Sequence, residues 1–101
     1  MGDRAQGRSS KFAIAIPTPL RSYVGDAAEV IVAVATPAPT LADALAALDT
    51  KYPGIRFRMI DEAGRVRPHI QIFVNATIER NPTARLPADA RIMIVGALSG
   101  G

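Results

Sequence analysis

The 101-residue chain contains no cysteine and no tryptophan, a single histidine, and only three phenylalanines and two tyrosines. Without cysteine there is no disulfide framework, no thiolate metal site and no cysteine nucleophile. With His69 as the sole imidazole, a zinc site finds too few ligands, and no metal residue is assigned. No apolar stretch reaches the ~18 residues that a membrane span needs, and no apolar run follows the charged N-terminus to make a signal peptide. The chain is therefore expected in the cytoplasm, with no membrane partner. Walker-type glycine loops, paired catalytic carboxylates and nucleophile motifs are also missing, so no intrinsic catalytic residue is assigned.

Twelve basic and nine acidic residues give a formal charge of +3. The excess is concentrated at the start: Arg4, Arg8 and Lys11 stand against Asp3, leaving nine basic and eight acidic residues for the remainder. Single-strand binders combine basic grooves with exposed aromatic platforms, and Phe12, Tyr23, Tyr52, Phe57 and Phe73 are few and scattered. Nucleic acid is not expected as a partner. Arg56, Arg58, Arg65 and Arg67 form a basic cluster offset by Asp61 and Glu62, a pattern that fits a solvated face first and an acidic partner surface second. Beside Pro68, His69 has no titratable neighbour at a suggestive spacing and is expected at the surface.

Residues 1–10 carry no hydrophobic period and are expected to form a disordered arm. Phe12, Ile14 and Ile16 alternate with smaller residues, which predicts a strand ended by Pro17 and Pro19. The β-branched run Glu29 to Val34 predicts a second strand, pairing with the first as an antiparallel hairpin across a long loop. Thr40, three residues before Asp43, predicts a capped helix start. Leu41, Ala44, Leu45, Leu48 and Tyr52 then form one apolar stripe, and Pro53 and Gly54 stop the helix. Residues 55–60 are ambiguous between strand and helical turn. Asp61 to Arg65 reads as a turn. Val66 to Val74 predicts a strand with Ile70, Ile72 and Val74 on one face and His69, Gln71 and Phe73 on the other. Alanine at position 76 resists the positive φ of a type I′ hairpin turn, which leaves the Asn75-Ala76 turn type open. Thr77 to Glu79 predicts a short edge strand, and the last strand points Ile92 and Ile94 inward and Met93 and Val95 outward.

The chain ends Ala97-Leu98-Ser99-Gly100-Gly101, directly after that last strand. At an average glycine usage of roughly 7%, two terminal glycines arise by chance in about 0.5% of sequences. Glycine has no Cβ, so such an end can thread a slot too narrow for other residues. This end, the run Ile72-Phe73-Val74-Asn75 and the start Ile14-Ala15-Ile16-Pro17-Thr18-Pro19-Leu20-Arg21 together resemble the MoaD/ThiS family of ubiquitin-like sulfur carriers, over nearly all of residues 11–101. The long first connection, residues 17–28, is closer to the molybdopterin-type and cysteine-biosynthesis-type carriers than to the thiamine type.

The resemblance implies an α+β fold: a β-grasp domain over residues 11–95, a mixed sheet of four to five strands with one main helix on one face, and the first and last strands adjacent. It implies a short helical segment within residues 55–60 and a left-handed backbone at Asp89, where relatives usually carry glycine. It also implies a flexible tail over residues 96–101, in which Gly101 is the reacting residue and Gly100 lets the backbone run flat. Gly96 stands where relatives often have proline, and reads either as a hinge or, preferably, as a strand-ending glycine. Phe73, Met93, Val95 and Leu98 are the expected partner-docking patch, with Phe73 in the core instead if the strand register slips by one.

A terminal carboxylate is ionised at neutral pH and needs activation. In the family a ubiquitin-activating-type adenylating enzyme supplies it, using ATP and Mg²⁺ to form an acyl-adenylate; a sulfide or persulfide donor then displaces AMP, and the thiocarboxylate serves a sulfur-accepting synthase. The chain itself is expected to bind no cofactor and to be monomeric when free. Two alternatives remain: a ubiquitin-like modifier conjugated through Gly101, and a β-grasp binding module with an inert end.

Overall fold

A computed structural model describes residues 10–96; the arm at 1–9 and the tail at 97–101 lie outside the described residues. Strands β1 (Ser10–Ala15) and β2 (Glu29–Val34) form an antiparallel hairpin, with Phe12 opposite Val32 and Ile14 opposite Val30. Ser10 pairs with Val34, so β1 begins one residue inside the segment expected to be disordered. Their long connection contains a 3-10 helix, Thr18–Val24, that the sequence pattern did not reveal. It buries Leu20 and Val24 and ends on Gly25 in the left-handed region.

Helix α1 (Leu41–Lys51) starts as its capping residues require. The Thr40 N–H donates to Asp43 Oδ2 at 2.9 Å and the Asp43 N–H to Thr40 Oγ1 at 3.2 Å, a reciprocal box. Two further first-turn amides, Leu41 and Ala42, donate to the carbonyls of Ala84 and Pro82, so the later loop satisfies donors that a helix start otherwise leaves open. Leu41, Ala44, Leu45 and Leu48 are wholly buried against the sheet, while Tyr52 is only partly covered. After the helix, Asp49 Oδ1 accepts the amides of Gly54 and Arg56 at 3.0 Å each. The ambiguous segment becomes a 3-10 turn, Arg56–Arg58, with Ile55 and Met59 driven into the core on either side.

The turn at 61–65 is held by one carboxylate. Asp61 Oδ1 accepts the amides of Ala63 and Arg65 at 2.9 Å each. These bonds, that from Arg65 first, lower the Asp61 pKa below its ordinary 3.8 despite some desolvation. A lowered folded pKa means stabilisation that is complete above the ordinary value and is lost as pH falls through the folded one. Asp61→Asn is therefore expected to melt below wild type at neutral pH, with the gap narrowing below pH 3.8. Thermal melts across that range check it.

Strand β3 spans Ile70–Val74, shorter than the Val66 to Val74 expected. Alternation continues through Pro68, but proline carries no amide for a ladder, and Val66 makes only an isolated bridge to Ile60. The β3–β4 hairpin closes through Asn75 (φ 50) and Ala76 (φ 71) into β4 (Thr77–Ile78). Both central residues are left-handed, as a type I′ turn requires, in spite of the alanine. Asn75 compensates by exchanging bonds with Arg91: its amide donates to the Arg91 carbonyl and its Oδ1 accepts the Arg91 amide, each at 2.9 Å. Since a left-handed residue with a Cβ costs roughly 1–2 kcal/mol, Ala76→Gly is expected to stabilise the fold by about 1 kcal/mol, read from chemical denaturation. Asp89, with φ 55, takes the left-handed backbone its position implied.

Strand β5 (Arg91–Gly96) completes a five-stranded sheet in the order β2-β1-β5-β3-β4. It runs parallel to β1 and antiparallel to β3. This mixed sheet with one main helix on one face is the expected β-grasp, ubiquitin-like architecture. Gly96 is still within the ladder, opposite Ile70, rather than the first residue of the tail. A Cβ there would stand 3.8 Å from Ile70 Cδ1, an ordinary contact, so pairing does not demand glycine. The core fills the helix side of the sheet with Phe12, Ile14, Val30, Val32, Ile72, Ile92 and Ile94.

Candidate functional site

Among the described residues nothing covers the sheet face away from α1, and the composition of that face follows from strand alternation. In β5 the odd positions Arg91, Met93 and Val95 face out, and in β3 Gln71 and Phe73 do. Phe73 lies opposite Met93 on one side and Ile78 on the other. Directly opposed antiparallel residues share a face, so Met93, Phe73 and Ile78 form an apolar row over roughly 10 Å at usual strand spacing. The ladder thus places Phe73 on the open face, half-buried by its neighbours, and not in the core. Met93 and Val95 remain 44% and 39% exposed. Ile78, at 49%, belongs to the row although the sequence did not single it out. Its signal was its place in a short edge strand, but only the strand order brings it beside Phe73.

Next to this row β1 turns Lys11, Ala13 and Ala15 outward, and the small side chains of the two alanines leave a shallow floor. The Arg91 guanidinium bridges across it to Glu29 Oε2 on β2 at 2.7 Å. Both groups are exposed, so the pair is worth at most about 1 kcal/mol. It closes the apolar row on the side away from Gly96.

On the other side a groove of about 460 Å³ continues from Met93 and Val95 to Gly96, walled by Ala15, Pro17, Pro19 and Arg21. The wall is rigid for local reasons. Two prolines fix the entry to the 3-10 helix, and Arg21 Nε donates to the Ile16 carbonyl at 2.9 Å. Gly96 is therefore the last described residue of an interior strand and sits in a groove continuous with the exposed apolar row. Of the expected site residues, Phe73, Met93 and Val95 come together on this face, while Leu98, Gly100 and Gly101 lie outside the described residues.

The remaining polar candidates are dispersed. His69 is exposed. Arg67 lies 4.7 Å from the Phe57 ring centre and donates from Nε to the Phe57 carbonyl, Arg58 lies 6.0 Å from the Tyr23 ring, and Arg65 approaches Asp61 at 4.0 Å. Three of the four clustered arginines are thus engaged within the chain. Among the described residues no side chain that is polar or charged is buried, no group of three or more histidine, aspartate or glutamate residues is placed to hold a metal ion, and no helix is long and apolar enough to cross a membrane.

Strand order and the single main helix define a β-grasp, ubiquitin-like fold. No protein-family profile matches the chain, and no curated protein matches it by sequence. Solved structures do match. A chain of the BexX/CysO complex of Amycolatopsis orientalis superposes with a TM-score of 0.76 at 22% identity, covering 89% of this chain and 99% of that one. CysO of Mycobacterium tuberculosis gives 0.73 at 22% identity, covering 86% and 99%. SAMP1, the small archaeal modifier protein 1 of Haloferax volcanii, gives 0.76 at 23% identity, covering 90% and 99%. At these identities the likeness is one of fold, and the fold is the one the resemblance to the sulfur carriers implied.

Proposed function

We propose that this chain is a protein sulfur carrier of the MoaD/ThiS type, with Gly101 as the residue that carries the sulfur. The observation that supports this most is the continuity of the exposed Met93–Phe73–Ile78 row with the groove at Gly96, from which Ala97-Leu98-Ser99-Gly100-Gly101 follow. Five residues extend at most about 18 Å. A partner seated on the open face can therefore receive the end of the same chain in a slot of its own.

The chemistry divides accordingly. The Gly101 carboxylate attacks the α-phosphorus of ATP, pyrophosphate leaves, and an acyl-adenylate forms. Sulfide then attacks the carbonyl carbon and AMP departs, leaving a thiocarboxylate; a persulfide donor instead leaves an acyl disulfide, from which a second thiol of the donor releases the thiocarboxylate by forming a disulfide with the donor sulfur. The adenylating partner, of the ubiquitin-activating type, supplies Mg²⁺ and the stabilisation of developing charge. This chain supplies the carboxyl group and the docking face, and serves as substrate rather than catalyst. A synthase accepting the sulfur would use the same face in turn.

Support for a protein partner comes from CysO, whose relative in Amycolatopsis orientalis is described in complex with BexX. The name of the archaeal neighbour, a modifier protein, favours a second use, conjugation of Gly101 to lysines. ATP–pyrophosphate exchange by adenylating enzymes of the producing organism tests the proposal. Exchange that requires this chain is expected; absence of exchange with every such enzyme would leave an inert binding module. Isopeptide-linked products without any thiocarboxylate would favour the modifier.

A further inference from the structure

Phe57 is the most exposed large apolar side chain among the described residues, at 55%. It sits in the middle of the 3-10 turn Arg56–Arg58, between Ile55 and Met59, which are wholly buried and fix the turn at both ends. Two bonds stitch the turn down further. Asp49 Oδ1 accepts the Arg56 amide at 3.0 Å, and the Arg67 amide donates to the Met59 carbonyl at 2.8 Å. The ring is therefore held outward on a rigid support while its two flanking apolar neighbours do the core packing. A lone exposed apolar residue is ordinary; what sets Phe57 apart is the company of arginines.

The Arg67 guanidinium lies 4.7 Å from the Phe57 ring centre, and its Nε donates to the Phe57 carbonyl at 2.8 Å. Stacking and that bond fix the plane of the group. With the amide and Nε spent on the turn, the two Nη nitrogens are what Arg67 has left for a ligand. Arg56 and Arg58, on either side of Phe57, are exposed, and Arg58 lies 6.0 Å from the Tyr23 ring. A guanidinium ordered in advance loses less freedom on binding and offers a carboxylate a two-pronged fork. The neighbouring acids are largely committed elsewhere: Asp49 and Asp61 each spend Oδ1 on two backbone amides, and Arg65 is the arginine that approaches Asp61, at 4.0 Å. Glu62 is left, on the wall of a bowl of about 540 Å³ that opens beside Phe57 and Ile60. Arg58 and Arg67 stand outside that bowl.

We propose that the Phe57 turn docks a partner protein through a short acidic segment, one apolar side chain of which packs on the Phe57 ring while its carboxylates meet Arg58 and Arg67 on the side away from Glu62. Aromatic and arginine side chains are the usual anchors of such contacts. Residues 1–9 of the same chain carry Arg4 and Arg8 against Asp3 and are the poorer occupant by charge. So is a second copy, which across a two-fold axis would set arginines against arginines. The turn packs against α1, on the sheet side opposite Met93, so this contact can be held while Gly101 lies in the slot of another protein. The docking does not depend on the sulfur-carrier proposal.

The test is a titration of the ¹⁵N-labelled full chain with an acetylated, amidated hexapeptide, Leu-Leu between two glutamates on each side. A peptide with lysines in place of the glutamates serves as control. Shifts centred on the amides of Phe57 and Arg58 and on Arg67 Nε are expected, with the acidic peptide bound roughly tenfold more tightly than the basic one, as two exposed charge pairs allow. The double variant Arg58→Glu, Arg67→Glu is expected to reverse that preference. Phe57→Ser is expected to weaken binding of the acidic peptide while melting as wild type, because the ring it removes lies outside the core. Glu62→Gln, which removes the one like charge beside the site, is expected to tighten it about twofold. No binding, equal affinity for both peptides, shifts centred on Met93 and Phe73, self-association through the Phe57 turn, or binding that appears only after deletion of residues 1–9 would each overturn the proposal.

Discussion

Deleting Gly101 is expected to reduce adenylation by the activating partner at least ~100-fold while leaving fold and docking nearly unchanged. The deletion moves the reacting carboxylate back by one residue, up to about 3.6 Å in an extended chain. A displacement near 1 Å already costs about 100-fold when reacting atoms must align. The fold survives because Gly101 has no side chain to bury and lies five residues past Gly96, where the ladder ends. Docking survives because Met93, Phe73 and Ile78 sit within the sheet. Replacing Gly101 by a bulky residue is expected to fail for another reason, a clash in the slot. ATP–pyrophosphate exchange, run beside a binding titration, separates the two effects.

Met93→Asp is expected to do the opposite, weakening partner binding at least 100-fold with little loss of fold. Met93 is 44% exposed on the open face, so in the free protein an aspartate there stays in water. The remaining cost is the poor strand propensity of Asp, up to about 1 kcal/mol, or a fall in Tm of roughly 4–8 °C for a domain this size. At an interface the same carboxylate is buried between its uncharged ladder partners Phe73 and Ala15, while the nearby Arg91 is paired with Glu29 and Arg21 is tied to the Ile16 carbonyl. Such an uncompensated charge costs about 3–5 kcal/mol, which is more than two decades in affinity. Unchanged affinity per folded molecule would show that partners dock elsewhere.

What was legible in the sequence was what short-range pattern determines. The β2 run, the Thr40–Asp43 box and the leucine stripe of α1 each satisfy local rules, and the structure keeps all three. The inward and outward alternation of β5 is of the same kind. What was missed or stayed open lay where distant parts of the chain decide. Val66 to Arg67 alternates like a strand, but Pro68 and the bridge to Ile60 take it out of the sheet. Ala76 adopts a backbone its side chain disfavours because Asn75 is tied to Arg91, sixteen residues away. Phe73 stayed undecided between core and face until its ladder partners were known. Ile31 and Ile78 look like ordinary strand residues until the strand order puts both at sheet edges. Topology itself was implied by the resemblance, not by propensity.

The central claim is that Gly101 becomes a thiocarboxylate. Intact mass of the full chain after incubation with extract of the producing organism, ATP and a sulfide source tests it most directly. Fragmentation of the C-terminal peptide then locates any change. The expected result is replacement of one oxygen by sulfur, confined to Gly101 and dependent on ATP. An unchanged mass under conditions that label a known carrier in the same extract, or a sulfur adduct anywhere other than Gly101, would contradict it.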